Sequence, residues 1–473
     1  MALTKRAIPR KYLIHFANEH LDFRIAELKS IFKTFNYEIN IPDKDVRDPF
    51  MILELPSLDC VKSVASRAIL IRSVYELWAH GTTFEDLNNA LRQLPKDFVE
   101  PHTSRLETFK FQVTSFNKSL SNKQKRDRIE CLPSDVLDFQ GKVDLKNAKH
   151  IYHILEYYGP FGHDPTDQPV DVYFAKWITD GQRDKINEFH LQKRHFIANT
   201  SMDAGLSMIM ANIGGVKKDM LVFDPFVGSG SLLVAAAIHE AYVLGQDLDY
   251  LLLHAKARPS RCNEKKRAQD ESIRSNLRQY GMEKYYIDAL VADSSRPGLW
   301  REITLFDAII TDPPYGIREG AKKVGLHDKD SLINGEIKPG AQHFPQRLDY
   351  HLSDIFKDLL NFSAKYLHKN GRLVYWFPVN IQTYSPDNIP THPCLQLVHN
   401  CEQKLNTRLS RRLITMEKFR DFTEDTKEAV IQVDHFETST FRDMYFNDNN
   451  LQKERQNDGQ NKLSSDLNKL NVT

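Results

Sequence analysis

The sequence predicts an α/β protein, in which a mostly parallel sheet with helices on both faces follows an N-terminal α+β region. Beyond residue 195, apolar strand-like and helix-like segments alternate regularly, which is typical of parallel sheets. Before it, strands and helices mix without that alternation. At 473 residues, the chain is also too long for one ordinary domain. The predicted regions are 1–190, 191–420 and a C-terminal extension, 421–473.

The N-terminal region contains several segments with the composition of strands or the periodicity of helices. Residues 23–32 carry apolar side chains at helical spacing, and a second helix is expected between residues 55 and 68. Residues 146–155 fit neither pattern and are left unassigned. The predicted strands are 11–16, 49–55, 68–75, 109–114 and 171–175.

The second region alternates strands and helices from its first helix, residues 202–210, onward. Ligands of such sheets bind beyond the carboxyl ends of the strands, so residues that follow strands are candidates for the site. The predicted strands are 221–223, 241–245, 287–291, 306–311 and 371–377, and the later helices are 231–240, 271–280 and 352–367.

Composition narrows the class of protein. The chain carries 64 basic and 63 acidic residues, so a nucleic-acid partner would have to bind local patches rather than a global field. Its five cysteines form no Cys-x-x-Cys pair, which argues against a zinc site or a disulfide framework, and no bound metal is expected. There is no membrane-span or secretory pattern, and we therefore expect a cytoplasmic protein.

Asp224-Pro-Phe-Val-Gly-Ser-Gly230 joins a predicted strand to a predicted helix through a glycine turn. Glycine lacks a Cβ, so a ligand can approach the backbone of such a turn closely. The third glycine of a dinucleotide fingerprint is missing from Ser231-Leu-Leu-Val234, and NAD therefore fits poorly. S-adenosylmethionine fits better, because Asp224 can accept from its ammonium group. We expect Asp224, Phe226, Gly228 and Gly230 at this cofactor; the alternative is an ordinary helix N-terminus.

Two further acids follow neighbouring strands. Asp247 lies at the end of the second strand, where a carboxylate binds ribose hydroxyls, with Asp249 as the alternative. Asp293 follows the third strand and can accept from an adenine amino group. An ordinary helix N-cap or a turn aspartate would explain these residues equally well if they stood alone.

The sharpest motif is Thr311-Asp-Pro-Pro-Tyr-Gly316, at the end of the fourth strand. Its prolines stiffen the turn and remove two backbone donors, which leaves a pocket rich in acceptors. The carboxylate of Asp312 and the carbonyl of Pro313 can both accept from one exocyclic amine, while Pro314 and Tyr315 complete the loop and Tyr315 offers a face for stacking. We therefore predict methylation of a nucleobase nitrogen, with Asp312, Pro313, Pro314 and Tyr315 as the catalytic residues.

Four segments together resemble the catalytic subunit of the eukaryotic tRNA (guanine(10)-N2)-methyltransferases. The resemblance covers residues 10–420 and is most specific from Arg194 onward. A departure is the stretch 254–267, with six basic residues against one acid, which either touches RNA or is a solvated loop. The four segments are Arg194-His-Phe-Ile-Ala-Asn-Thr-Ser-Met-Asp-Ala204, Asp224-Pro-Phe-Val-Gly-Ser-Gly-Ser231, Thr311-Asp-Pro-Pro-Tyr-Gly-Ile-Arg-Glu-Gly320 and Cys401-Glu-Gln-Lys-Leu-Asn-Thr-Arg-Leu-Ser-Arg-Arg-Leu-Ile-Thr-Met416.

The resemblance implies a Rossmann-like methyltransferase domain after an RNA-binding THUMP module, S-adenosylmethionine as methyl donor, and tRNA as substrate. It also implies a small zinc-binding activator subunit that forms a heterodimer with the chain. Thr200, Ser201 and Met202 are expected near the cofactor on the same ground.

Local basic patches are the candidates for RNA contacts. Residues 101–130 carry seven basic residues against three acids, a pattern typical of phosphate contacts but also of an exposed loop. Arginines that follow a late strand either bind phosphates or form surface salt bridges. The RNA-binding candidates are Lys118, Lys123, Lys125, Arg126, Arg128, Arg411 and Arg412.

Two segments are expected to be irregular, and two other functions stay open. Residues 319–347 read as a long polar loop, and residues 447–473, with seven asparagines, read as disordered. The catalytic motif is shared by enzymes that methylate rRNA guanine or DNA adenine, so the first alternative is another nucleobase amine. The second is a non-catalytic RNA-binding scaffold, against which the complete Asp312–Tyr315 motif argues.

Overall fold

The computed structural model describes residues 10–43, 45–103, 107–261, 264–315, 321–325 and 346–431. The chain divides into two compact units, 1–187 and 188–473. The predicted disordered tail, 447–473, and residues 326–345 of the predicted polar loop lie outside the described residues.

The described part of the first unit forms a six-stranded sheet in the order β2-β1-β3-β6-β5-β4, antiparallel except for the β4–β5 pair. The helices cap their first turns with hydroxyls, as at Ser57, Thr83 and Ser121. The strands are β1 (Arg10–Phe16), β2 (Phe50–Leu55), β3 (Ile71–Gly81), β4 (Phe109–Phe116), β5 (His150–Tyr157) and β6 (Asp171–Asp180); the helices are α1 (Arg24–Thr34), α2 (Leu58–Ala65), α3 (Phe84–Arg92), α4 (Lys96–Thr103), α5 (Asn122–Glu130) and α6 (Asp184–Glu188).

Apolar faces of helices hold this sheet. Leu28 and Ile31 of α1 pack with Val61 of α2 onto Ile14 and Leu53 of the sheet. Leu87 and Leu91 of α3 join a second cluster around Trp78, Tyr152 and Phe174. Burial of such side chains contributes roughly 1.5–3 kcal/mol each, which is what fixes the helices on the strands.

The described part of the second unit contains a seven-stranded sheet in the order β14-β15-β13-β10-β7-β8-β9. Strands β13, β10, β7, β8 and β9 are parallel, and β15 runs antiparallel to both β13 and β14. The expected mostly parallel α/β fold is therefore confirmed. The strands are β7 (Leu221–Asp224), β8 (Tyr242–Asp247), β9 (Tyr286–Val291), β10 (Phe306–Thr311), β13 (Leu367–Asn380), β14 (Leu395–Lys404) and β15 (Leu409–Lys418); the helices are α7 (Ala204–Ile213), α8 (Ser231–Ala237), α9 (Tyr250–Leu253), α10 (Ile273–Gln279) and α11 (Leu352–Tyr366).

The order of strands determines where a ligand binds. The chain runs from β7 outward through β8 to β9, then returns to the other side of β7 to form β10 and β13. A crevice opens at the carboxyl ends of strands where the winding direction reverses, and here that point lies between β7 and β10. These two strands end at Asp224 and Thr311, the first residues of the two motifs singled out in the sequence.

Part of the predicted polar loop is in fact a hairpin. Strand β11 (Lys322–Gly325) pairs antiparallel with β12 (Gln346–Asp349), so the prediction of a continuous loop over residues 319–347 was wrong at both described ends. Polar residues dominate these short strands, and a four-residue strand gives too little alternation to be recognised.

Candidate active site

A pocket of about 610 Å³ lies at the carboxyl ends of the central strands, a volume typical of small-ligand sites. It brings together most residues that the sequence singled out, although these lie more than two hundred positions apart. The predicted residues that line it are Thr200, Ser201, Met202, Asp224, Phe226, Gly228, Asp247, Asp293, Asp312, Pro313, Pro314, Tyr315 and Arg411.

The glycine turn between β7 and α8 needs its glycines for two different reasons. Gly228 and Gly230 both have positive φ angles, 49° and 78°, which residues with a Cβ rarely adopt. A Cβ on Gly230 would also lie 2.7 Å from Cγ2 of Ile273. Gly230 does not line the pocket; it lets the turn close, while Gly228 exposes its backbone to the pocket.

Asp224 is buried at the end of β7. Its Oδ1 accepts from the backbone amide of Phe226 at 3.0 Å and from the hydroxyl of Thr311 at 2.7 Å. Burial raises the pKa of Asp224 to about 7, with smaller opposing effects from these two donors and a further upward effect from Asp247 and Asp312. Without a cationic ligand, this carboxyl is therefore close to half protonated at neutral pH.

Asp247 closes the glycine turn from the end of β8. Its Oδ2 accepts from the amide of Gly228 at 2.9 Å, and its Oδ1 accepts from the amide of Asp249 at 2.9 Å. Burial raises the pKa of Asp247, and these backbone donors oppose that effect. Asp249 caps α9 by accepting from Leu251 and Leu252, which is the ordinary N-cap role considered from the sequence.

Asp293, after β9, ties the pocket to the β11–β12 hairpin. Its Oδ1 accepts from the amide and the hydroxyl of Ser295, at 2.9 and 2.8 Å. Its Oδ2 accepts from the amide of Val324 at 2.7 Å. The hairpin is thus anchored on the carboxylate that the sequence assigns to the adenine amine.

The segment before α7 forms another wall of the pocket. The hydroxyls of Ser201 and Ser229 lie 2.5 Å apart, and the Ser201 hydroxyl also accepts from the amide of Ala198. Asp203 caps α7 by accepting from Leu206 at 3.0 Å. This wall is therefore bonded directly to the glycine turn that it faces.

The loop of residues 312–315, to which the sequence assigns catalysis and which is called the catalytic loop below, follows β10. The Tyr315 hydroxyl donates to Oδ1 of Asp312, and Nη1 of Arg411 lies 3.7 Å from Oδ2 of the same carboxylate. Burial raises the pKa of Asp312, and the charge of Arg411 and the Tyr315 hydroxyl oppose this. Burial also raises the pKa of Tyr315, so its hydroxyl stays protonated and remains a donor.

Several lining residues were not expected from the sequence. Leu405 and Tyr350 add apolar surface, and the hairpin contributes Lys322 and Arg347. Six aspartates line the pocket against three cations, so its charge suits a ligand with positive groups. No local sequence signal marks Lys322 or Arg347, because their proximity depends on how the hairpin folds back.

The two candidate arginines of β15 lie on opposite faces of the sheet, as neighbouring strand residues do. Arg411 lines the pocket, whereas Arg412 stacks on Tyr384 at 4.5 Å and donates to Asn400 at 2.8 Å. Both lie within the strand rather than in a loop after it.

The basic candidates of the first unit differ in their exposure. Lys118 donates to the carbonyls of Thr166 and Asp167, and Arg128 pairs with the buried Glu156 at 3.1 Å. Those two cations are therefore engaged within the fold. Lys123, Lys125 and Arg126 lie on α5, a helix with no buried residue, and their side chains make no ion pair with any described residue.

The basic stretch 254–267 braces the pocket wall where it is described. Arg261 donates to the carbonyl of Arg194, and Arg267 donates to the carbonyl of Ile197 at 3.3 Å while pairing with Glu271 at 2.7 Å. Lys256 donates to the hydroxyl of Tyr250 at 3.0 Å, so three of the six cations have structural partners. Arg258, Lys265 and Lys266 are exposed.

Over the described ranges, no cluster of histidine, cysteine, aspartate and glutamate is arranged to hold a metal ion. Among the same residues, no helix combines the length and the apolarity needed to cross a bilayer.

The fold and the pocket define a Rossmann-like methyltransferase domain, and comparison with known families agrees. Residues 10–183 match the description "Tmrp11 THUMP N-terminal domain", and residues 192–327 match "RMKL-like, methyltransferase domain". The first unit is therefore a THUMP-type domain and the second a methyltransferase domain, as the sequence predicted.

Relatives identify the family. The chain is 47% identical over 444 residues to the tRNA (guanine(10)-N(2))-methyltransferase TRMT11 of Bos taurus, covering 93% of this chain and 95% of that protein. The TRMT11 proteins of Homo sapiens and Dictyostelium discoideum are 46% and 34% identical, over 92% and 90% of this chain and 95% and 85% of their own. The chain belongs to the TRMT11 family. Among solved structures, TrmN from Thermus thermophilus matches with a TM-score of 0.41 at 16% identity, covering 86% of this chain and 100% of that one.

Proposed function

We propose that the protein transfers a methyl group from S-adenosylmethionine to the N2 amine of guanine 10 in tRNA. The observation that carries this proposal is the shared pocket, in which the catalytic loop faces the carboxylates of the glycine-turn side. The relatives named for this activity match nearly their full length and nearly the whole chain.

The donor set of the pocket fits the cofactor. Asp224 would hold the ammonium group, Asp247 the ribose hydroxyls and Asp293 the adenine amine, each from the end of a different strand. Thr200, Ser201, Met202 and Phe226 would enclose it, and the exposed backbone of Gly228 permits close approach. When bound, S-adenosylmethionine supplies an electrophilic methyl group on a sulfonium sulfur.

The catalytic loop would prepare the target amine. Asp312 and the carbonyl of Pro313 accept from its two N–H groups, which orients the nitrogen lone pair toward the methyl carbon. The carboxylate then stabilises the positive charge that develops on nitrogen, until the amine loses a proton. Pro314 stiffens the loop, and the Tyr315 ring, anchored through its hydroxyl, offers a stacking face.

Capture of tRNA would depend on contacts with phosphate. Lys123 and Arg126, which are exposed, and the half-buried Lys125 are the unpaired cations of α5 among the described residues and the best candidates of the first unit, with Lys118 and Arg128 as partly engaged neighbours. The candidates of the second unit, Arg411 and Arg412, are engaged within the fold by the catalytic loop and by Asn400, and we do not assign them a phosphate contact. The guanine would leave its stack to reach the catalytic loop.

We also propose a small zinc-binding activator subunit as partner, on the resemblance of the sequence, and a cytoplasmic location. Strand β9 supports a partner, because it pairs only with β8 among the described strands and exposes Ile287 and Val291. The free thiols Cys60, Cys131 and Cys394 suit a reducing compartment.

Substitution of the catalytic carboxylate tests the activity. Asp312→Asn should lower single-turnover methyl transfer to tRNA by roughly 100-fold or more, because the amide cannot balance charge on the amine. Binding of S-adenosylmethionine, measured by calorimetry, should stay within about threefold of the wild type. The assay uses full-length protein, alone and with the co-expressed small subunit, and tritiated methyl transfer followed by nucleoside digestion.

The same digestion separates the alternatives. N2-methylguanosine from tRNA, absent when guanine 10 is replaced in the transcript, supports the proposal. Label in rRNA guanine or DNA adenine would assign another nucleobase amine, and an inactive wild-type complex that still binds tRNA would indicate a scaffold.

A further inference from the structure

Arg411 is fixed between the sheet and the catalytic loop. It lies in β15 opposite Pro378 of β13 and Gln403 of β14. Its guanidinium carbon is 3.9 Å from the centre of the Trp376 ring, and its Nε donates to Oε1 of Gln403 at 2.7 Å. Only 14% of its side chain is exposed. The ring and the amide thus hold the planar group in one orientation.

One terminal nitrogen of Arg411, Nη1, faces the catalytic loop. Nη1 donates to the Tyr315 hydroxyl at 3.4 Å and lies 3.7 Å from Oδ2 of Asp312. The Tyr315 hydroxyl in turn donates to Oδ1 of Asp312. The guanidinium therefore bridges a carboxylate and a phenol that contact each other, and little of it is left for a phosphate.

We propose that Arg411 is a positioning residue for methyl transfer, which fixes the Asp312 carboxylate and the Tyr315 ring in the orientation that receives the target amine. The proposal rests on the function proposed for this pocket. An acceptor must be held within a few tenths of an ångström of its productive position, and a stacked, doubly tethered arginine supplies such a hold.

The charge of Arg411 gives the proposal a signature that a purely structural role lacks. Burial raises the pKa of Asp312, whereas Arg411 and the Tyr315 hydroxyl act against it. The charge of Asp312 in turn raises the pKa of Asp224, at the end of β7. Only the ionised carboxylate of Asp312 can accept hydrogen bonds through both oxygens. Because loss of Arg411 should raise the pKa of this carboxyl, it should move the acid limb of the pH–rate profile to higher pH. The other charged groups of the pocket are Asp203, Asp247, Asp249, Asp293, Lys322 and Arg347.

Arg412 provides the matched control. It is the next residue of the same strand and carries the same charge, but its side chain points to the opposite face, toward Tyr384 and Glu402. Arg412→Met therefore removes the same charge from the same strand without touching the catalytic loop.

The experiment measures single-turnover methyl transfer to tRNA across pH for full-length Arg411→Met, Arg411→Lys and Arg412→Met. Arg411→Met should lower the maximal rate by about 20-fold or more and shift the acid limb up by about half a pH unit or more, with little change in S-adenosylmethionine affinity. Arg411→Lys, which keeps the charge but loses the planar fork, should restore the limb while recovering only part of the rate. Arg412→Met should leave the limb in place.

Three results would overturn the positioning role. The first is an acid limb that does not move in Arg411→Met while tRNA binding weakens, which would make Arg411 a phosphate ligand. The second is an equal shift of the acid limb in Arg412→Met. The third is a wild-type rate of methyl transfer in Arg411→Met. If Arg411→Met does not fold, Gln403→Leu, which removes the tether on Nε, must show a smaller loss of rate in the same direction, and wild-type rate in that variant rejects the proposal. A wild-type protein that methylates no tRNA would instead reject the function proposed for the pocket.

Discussion

At the scale of single residues, folding of the protein favours the protonated form of the Asp224 carboxyl, whereas binding of a cationic ligand favours the ionised form. Burial raises its pKa to about 7, so the folded protein without ligand binds a proton that the unfolded chain releases near its ordinary pKa of 3.8. The proton therefore stabilises the fold. This contribution is complete below pH 4 and is lost as the pH rises to about 7.

Removal of this carboxyl should flatten part of the pH dependence of stability. Asp224→Asn cannot titrate, so the free energy of unfolding of the variant should fall less than that of the wild type between pH 5 and 7. The difference approaches about 1.4 kcal/mol per pH unit at most, since one proton is involved. Chemical denaturation at a series of pH values, with S-adenosylmethionine absent, measures it.

The cofactor gives the control for the same residue. If its ammonium group binds ionised Asp224, the wild type should release close to one proton on binding near pH 6, seen by calorimetry in buffers of different ionisation enthalpy. Asp224→Asn should release less and bind more weakly. Parallel stability curves for the two proteins would contradict the protonation of Asp224.

At the scale of elements, strand β9 forms one edge of the methyltransferase sheet and pairs only with β8 among the strands that the structure describes. Ile287 and Val291 are each 46% exposed on it, and further apolar surface is exposed by Tyr242 on the neighbouring strand β8 and by Leu251 on α9. An unpaired edge with apolar side chains is suited to addition of a strand from another chain.

Charges on this edge should prevent assembly with the small subunit. Ile287→Lys together with Val291→Lys should abolish co-purification of the co-expressed subunit, because ammonium groups would be buried without partners. The matched control is Leu299→Lys with Ile303→Lys, since these residues are 58% and 55% exposed in the same unit but lie outside β9. Assembly of the β9 variant at wild-type yield would place the partner elsewhere.

Periodicity explains which elements were predictable. The first predicted strand, residues 11–16, corresponds to β1, and the amphipathic pattern of residues 352–367 corresponds to α11. Residues 146–155 were left unassigned because β5 is buried along nearly all its length and shows no alternation. Helix α5 was missed because it buries no residue, and its main signal is the capping box of Ser121 with Gln124.

At the scale of the whole molecule, a nearly neutral chain has to bind a polyanion through local charge. The net charge is +1, yet α5 presents Lys123, Lys125 and Arg126 on one exposed helix. Structure also divides the basic stretch of the sequence into cations that hold the fold, such as Arg128, and cations left at the surface.

Reversal of the three charges of α5 should weaken tRNA capture. Lys123→Glu, Lys125→Glu and Arg126→Glu together should lower tRNA affinity and flatten its dependence on salt, because fewer counterions are released. Filter binding across a salt series measures the slope, and circular dichroism checks the fold. Binding of S-adenosylmethionine should not change.

The control has the same change of net charge on other helices of this unit: Lys29→Glu, Lys62→Glu and Lys96→Glu, all at exposed positions. An equal loss of the salt slope in both triple variants would show that the effect is one of overall charge, and α5 would not be an RNA contact.

The motifs of the site were predictable because they are local, and their partners were not because they are distant. Asp224 and Asp312 lie in short segments whose glycines and prolines predict a ligand-binding turn and a stiff loop. Arg411, Lys322 and Arg347 reach the same pocket only through the pairing of β15 and of the hairpin, which no short pattern encodes.

The hydroxyl of Thr311 joins the two halves of the pocket. It sits on the residue before Asp312 and donates to Asp224, so the end of the strand that carries the catalytic loop is bonded to the carboxyl expected to meet the cofactor. Protonation of Asp224 weakens the oxygen that accepts from the Thr311 hydroxyl. Since coupling between two sites is reciprocal, any factor by which the cofactor tightens the hold on the base is returned by the base to the cofactor.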